Sequence, residues 1–242
     1  MILIYDGSFE GFLTLVYDVY YQKLKVNKIY KTSPNELIMD EIYEVFTDTE
    51  KCEKVYKALK TNFDKKSFEL IINIFMCDNK EFELELLKYI ILGFKNPKEL
   101  FNINNQEVFY LQNLEKELFR LVHKMYGFVR FQELDDGTLY AKIETKFNIL
   151  YFLGKHFFKR LNNQNFIIHD IPRKLAFVKN NLDCSIQNVS SFDEPKLSND
   201  EEKFDNLWKS FFNTISIKER ENKKCQQNFV PLLYRTFMNE FN

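Results

Sequence analysis

Glycine and proline are scarce in this 242-residue chain, with Gly 6 and Pro 5, which argues against long flexible linkers and disordered tails. No stretch approaches the roughly 20 apolar residues of a membrane helix, so no membrane association is expected. The opening Met1-Ile2-Leu3-Ile4 is too short and lacks the basic flank of a secretion signal. The four cysteines, Cys52, Cys77, Cys184 and Cys225, are far apart and form no Cys-x-x-Cys pair. A zinc knuckle or an iron–sulfur cluster therefore has no support, and reduced thiols in a cytoplasm are the expectation. No glycine-rich phosphate loop, internal repeat, nucleophile elbow or βαβ alternation is evident, and acyl transfer drops out with the elbow.

Arginine is scarce in a different way. Lysine outnumbers it 28 to 6, and all six arginines lie in the second half. Residues 1–119 carry a net charge of −5 and residues 120–242 a net +4. Within the latter, 120–179 holds 11 basic residues against 5 acidic ones. A basic half suits a polyanion, although a solvated face produces the same imbalance. A guanidinium offers a planar fork for phosphate that ammonium lacks, so Arg130, Arg160, Arg173 and Arg220 are candidate phosphate contacts. Buried ion pairs are the structural alternative for each.

What the chain has in abundance is aromatic surface, with Phe 26 and Tyr 13, enough for a large core. Apolar spacing predicts a strand at Ile2–Tyr5, a helix capped by Ser8, weaker strands at 28–31 and 43–46, and a helix capped by Thr47 or Thr49. Helices follow over 67–75, over 81–92 before Gly93, and over 106–126 closed by Gly127. The period then changes to two. Runs 128–134 and 138–144 flank the hairpin signal Asp135-Asp136-Gly137. Asn148 starts a helix, 166–169 and 175–178 form a second strand pair, and 184–189 adds a fifth strand. Residues 190–200 read as loop, 201–212 as helix, and 217–241 as helix broken at Pro231. The expected fold is α+β: a mainly helical acidic N-terminal half (1–119) packed on an antiparallel sheet with flanking helices in a basic half (120–242), the whole forming one compact unit over 1–242.

Several clusters resemble a bacterial family of DNA-metabolism proteins, typically paired with a radical-SAM protein and sometimes fused to a uracil-DNA glycosylase-type domain. They are Tyr5-Asp6-Gly7-Ser8-Phe9-Glu10-Gly11-Phe12; His123, Gly127-Phe128 and Arg130-Phe131; Ile143-Glu144, Asn148-Ile149-Leu150, His156-Phe157 and Arg160; Ile167-Ile168-His169-Asp170, Arg173 and Ala176; and Trp208, Phe211, Ile217, Arg220, Asn222, Gln226, Pro231 and Tyr234. The chain departs at Thr145, where the family has proline, and at Phe147 and Phe229, where it has histidine. The resemblance implies DNA and a radical-SAM protein as partners. It implies no glycosylase activity, because the glycosylase motifs are absent.

Two chemistries remain open. In the first, the protein is a DNA-binding accessory in repair or modification: its arginines meet phosphates, and Arg220, Asn222 and Gln226 beside Phe229 combine backbone contact with base stacking. In the second it is a DNA- or nucleotide-acting enzyme. There Glu144, His169 and Asp170 would be catalytic, with the Glu144–Asp170 pair suited to Mg²⁺-assisted phosphodiester chemistry; a buried turn network explains the same residues. Asp6, His123, Asn148 and His156 are further polar candidates. None of the three histidines has metal-ligand spacing, and no cofactor is expected. A scaffold that binds only a protein partner is the third reading.

Overall fold

The computed structural model describes residues 1–32, 40–190 and 196–241. The protein is α+β and divides into two compact units, Met1–Leu118 and Phe119–Asn242. No helix among the described residues is long and apolar enough to cross a membrane.

In the first unit the apolar run Ile2–Ile4 forms β1, the centre of a parallel three-stranded sheet. β2 (Lys28–Tyr30) and β3 (Ile42–Glu44) flank it. Ser8 caps α1 (Phe9–Gln22), its Oγ accepting from the Gly11 N–H at 2.8 Å. Helices α2 (Thr49–Asn62), α3 (Lys65–Phe75) and α4 (Glu83–Lys95) follow. The cap of α2 is Asp48, whose carboxylate accepts from Lys51 N–H, rather than either neighbouring threonine. Leu3, Phe12, Leu13, Leu59, Ile71 and Leu86 are fully buried. Gly93 lies inside α4 instead of ending it. A Cβ there would come within 2.4 Å of the Phe63 ring, so the glycine serves a close helix contact.

Helix α5 (Gln106–Phe128) runs from the first unit into the second and passes through Gly127. The second unit holds a five-stranded sheet in sequential order: β4 (Gln132–Glu133), β5 (Leu139–Ile143), β6 (Phe166–Asp170), β7 (Leu175–Asn180) and β8 (Asp183–Asn188). Helix α6 (Leu150–Arg160) joins β5 to β6, and α7 (Glu201–Ile215) and α8 (Lys223–Phe229) follow the sheet. Part of the expected 190–200 loop, residues 191–195, lies outside the described residues.

The sheet expectation needs correction. The β4–β5, β6–β7 and β7–β8 pairs are antiparallel, but β5 and β6 run parallel, with Ile143 opposite Asp170. The chain therefore contains βαβ units, at β1-α1-β2 and at β5-α6-β6. Parallel neighbours require a crossover of a dozen or more residues, and α6 supplies one. Its close seat on the sheet depends on Gly154, where a Cβ would lie 2.2 Å from Phe177. Phe177 in turn stacks on Phe166, with ring centroids 5.8 Å apart and planes 10° from parallel.

Candidate functional site

The parallel pair β5/β6 ends in a buried polar group. Asp170 closes β6 with no exposed surface. Its carboxylate accepts from Arg173 Nη1 at 3.0 and 3.3 Å. The same Nη1 donates to the Thr145 carbonyl at 3.0 Å, tying the β6–β7 turn to the β5–α6 connection. Glu144 and Asn148, both half-buried, lie in that connection. Asn148 does not cap α6, whose first turn has no side-chain cap. Asp170, Arg173 and the Thr145 carbonyl thus meet at the carboxyl edge of two parallel strands, the edge where α/β sheets present ligands, with Glu144 and Asn148 in the adjoining connection.

His169 does not join them. Consecutive strand residues point to opposite faces, so His169 faces away from Asp170, on the side of its register partners Lys142 and Ala176. It is buried, with Nδ1 2.9 Å from the Tyr140 hydroxyl. Burial, reinforced by the Lys142 charge, holds its pKa below the usual histidine value. The Glu144–His169–Asp170 set expected for catalysis is therefore divided between two faces of the sheet. Among the described residues, no three His, Cys, Asp or Glu side chains come together as a metal site.

The arginines also separate. Arg130 is held by Glu240, with Nη2 2.5 Å and Nε 3.3 Å from its carboxylate, and donates to the Gly127 carbonyl at 2.7 Å. Trp208 Nε1 shares the same carboxylate at 3.1 Å. Burial raises the Glu240 pKa, but the Arg130 and Trp208 hydrogen bonds outweigh it and the net shift is downward. Arg173 is committed to Asp170. Arg160 is exposed at the C-terminal end of α6. Because α6 returns the chain from the carboxyl end of β5 to the amino end of β6, Arg160 and Arg173 lie at opposite ends of the sheet. A single cleft shared by all four guanidiniums does not form.

His156 stacks on Tyr126 with centroids 3.8 Å apart. Its Nε2 is buried with no hydrogen-bond partner among the described residues, and burial, then Arg160, lowers its pKa. His123 is exposed on α5 beside Tyr126. In the first unit, Asp6 follows β1. Its Oδ1 accepts from the Ser8 N–H and hydroxyl at 2.9 and 2.7 Å, and its Oδ2 from Thr47 at 2.6 Å. Burial acts upward on its pKa, yet these bonds bring it below the ordinary carboxylate value. That geometry is a turn lock at the start of α1.

The second constellation is an open groove of about 880 Å³ between the end of α7 and α8. It is lined by Arg220, Glu221, Asn222 and Gln226, together with Phe212, Cys225 and Phe229. Arg220 and Gln226 are exposed, and the Phe229 ring is 70% exposed. Asn222 uses its Oδ1 to cap α8, accepting from Cys225 N–H at 2.9 Å. Residues 216–229 contain three lysines and one arginine against two glutamates. These three polar candidates, expected together from their spacing, do share one surface.

Both constellations fall within residues 80–240, which match a family described as a domain of unknown function, DUF4130. The chain belongs to that family. No curated protein matches the chain. The family's matched span includes β4–β8 and α5–α8 but leaves out the parallel sheet of the first unit.

Sequence reasoning missed Lys179, which is 2% exposed and donates to the Leu161, Asn162 and Gln164 carbonyls at 3.4, 3.0 and 2.7 Å. A signal was present: Leu175, Phe177 and Lys179 share one face by period-two alternation, so the lysine points inward with the two apolar residues. It also missed Glu240, which occupies Arg130 from 110 positions away, a pairing no local pattern encodes.

Proposed function

We propose that this protein is a nucleic-acid-binding accessory factor that meets DNA in the α7–α8 groove and acts with a partner enzyme in DNA repair or modification. The observation that supports it best is the shared surface of Arg220, Asn222 and Gln226 beside the exposed Phe229 ring. A guanidinium and amides suit phosphate and base edges, and an exposed ring suits base stacking, the combination used on single strands. Arg130 and Arg173 are assigned structural roles because each neutralises a carboxylate with little or no exposure, Glu240 and Asp170.

The accessory role rests on the family resemblance, in which a radical-SAM protein is the companion. A second surface is compatible with a companion. Phe204, Leu207, Trp208, Phe211 and Ile215 lie at helical spacing on α7 and are each between 40% and 65% exposed. An apolar strip of this size exceeds the scattered exposed side chains of an ordinary surface. The division of labour fits the cysteines, which lack the close spacing of a cluster-binding triplet.

Fluorescence anisotropy with labelled single-stranded and duplex DNA over a salt series tests the proposal. Single-strand binding should weaken as salt rises. Arg220→Ala should reduce the slope of log affinity against log salt by about 0.7, one phosphate contact on a single strand. Phe229→Ala should weaken binding by roughly tenfold through lost stacking. Binding that is indifferent to both substitutions, or no binding at low salt, refutes it.

A further inference from the structure

The first unit contains an aromatic recess distant in sequence from the α7–α8 groove. Its floor is Val16, Val55 and Ala58, from α1 and α2; its walls are Tyr17, Tyr20, Tyr21 and Phe94; and Lys54 completes the lining. The recess encloses about 230 Å³, more than the about 150 Å³ of an engineered apolar cavity that takes up benzene. One planar bicyclic ring fits that volume.

The rings are arranged around the opening. Tyr17 and Tyr21 are 4.3 Å apart by centroid and 33° from parallel. Tyr20 meets Tyr21 edge-on at 5.5 Å and lies 6.1 Å from Phe94. Tyr20 and Tyr21 remain 51% and 66% exposed, so their ring faces are open to a planar ligand. Lys54 is the charged residue of the lining, and its neighbours on α2 differ from it in pairing. Lys51 is bonded to Asp18 at 2.7 Å and Lys57 to Glu53 at 3.0 Å, whereas Lys54 makes no ion pair among the described residues. Aromatic walls alone would also suit a quaternary ammonium; a lysine in the lining that makes no ion pair among the described residues opposes a cation and favours an anion.

We propose that this recess binds a planar heteroaromatic ring carrying an anionic group, the chemistry of a nucleoside monophosphate, with the ring against Tyr20 and Tyr21 and the phosphate reaching Lys54. The proposal does not depend on the DNA reading of the second unit.

Calorimetric titration of the full chain with AMP, adenosine and ribose 5-phosphate tests it. AMP should bind saturably, adenosine more weakly and ribose 5-phosphate least. Tyr20→Ala should weaken AMP by about tenfold through lost stacking. Lys54→Ala should weaken AMP by roughly fivefold, the scale of one exposed charge contact, and leave adenosine unchanged. Both side chains are exposed, so neither variant threatens the fold. Arg220→Ala and Phe229→Ala should leave AMP affinity intact, which separates this site from the groove. Competition by a single-stranded oligonucleotide would assign the recess to a base within a strand; lack of competition would assign it to the free nucleotide. Absence of saturable AMP binding, AMP binding unaffected by Tyr20→Ala, or binding of tetramethylammonium in its place overturns the proposal.

Discussion

Lys179→Met isolates the device that seats α6 on the sheet. The lysine Nζ reaches three carbonyls at the end of α6 and just beyond it, while its stem lies in the core and its charge sits 5.4 Å from the centre of the Phe158 ring. Methionine keeps the apolar stem and removes the donors. Three lost bonds at about 1 kcal/mol each, with up to about 1 kcal/mol from the helix's negative end, set the gross cost. Relief from burying an ammonium offsets part of it. The net expectation is a loss of roughly 2–3 kcal/mol. Urea unfolding followed by the fluorescence of Trp208, the single tryptophan, reports on the second unit. With an unchanged m-value, the midpoint should fall by about 1–2 M. Lys159→Met, on the same helix and exposed, is the control and should be nearly silent. An unshifted midpoint for Lys179→Met, or an equal loss in the control, would refute the capping role.

Gly154→Ala should lower the melting temperature even though alanine improves helix propensity by about 1 kcal/mol. Its Cβ would lie 2.2 Å from the stacked Phe177 ring, and overpacking of this kind costs about 1–3 kcal/mol; a stabilised variant would contradict the close seat. Stability should also decline as pH falls from 7 to 5. His169 and His156 have folded-state pKa values held below the ordinary histidine value by burial, then by Lys142 and Arg160 respectively, so the unfolded chain takes up protons first. The loss begins near the unfolded value of about 6.5 and ends once the folded pKa is passed. Replacing both histidines with glutamine should flatten thermal stability across that window, and an unchanged pH profile would exclude the assignment.

The amino-acid order alone located nearly every element because the information is local. Ser8 caps α1, the 3.6-residue stripe marks α5, and Asp135-Asp136-Gly137 turns β4 into β5, with Gly137 at φ +80°. The grouping of Arg220, Asn222 and Gln226 was legible for the same reason: the three lie within seven positions around the start of α8. Strand direction was not legible, since alternating apolar residues suit parallel and antiparallel neighbours alike. Nor was the fate of the charged residues. Arg130 is occupied by Glu240, the His169 imidazole meets the Tyr140 hydroxyl, and the Lys179 ammonium meets three carbonyls around the end of α6. Each outcome depends on which distant group folding brings within about 3 Å, a quantity that composition and spacing do not contain and that only the tertiary structure decides.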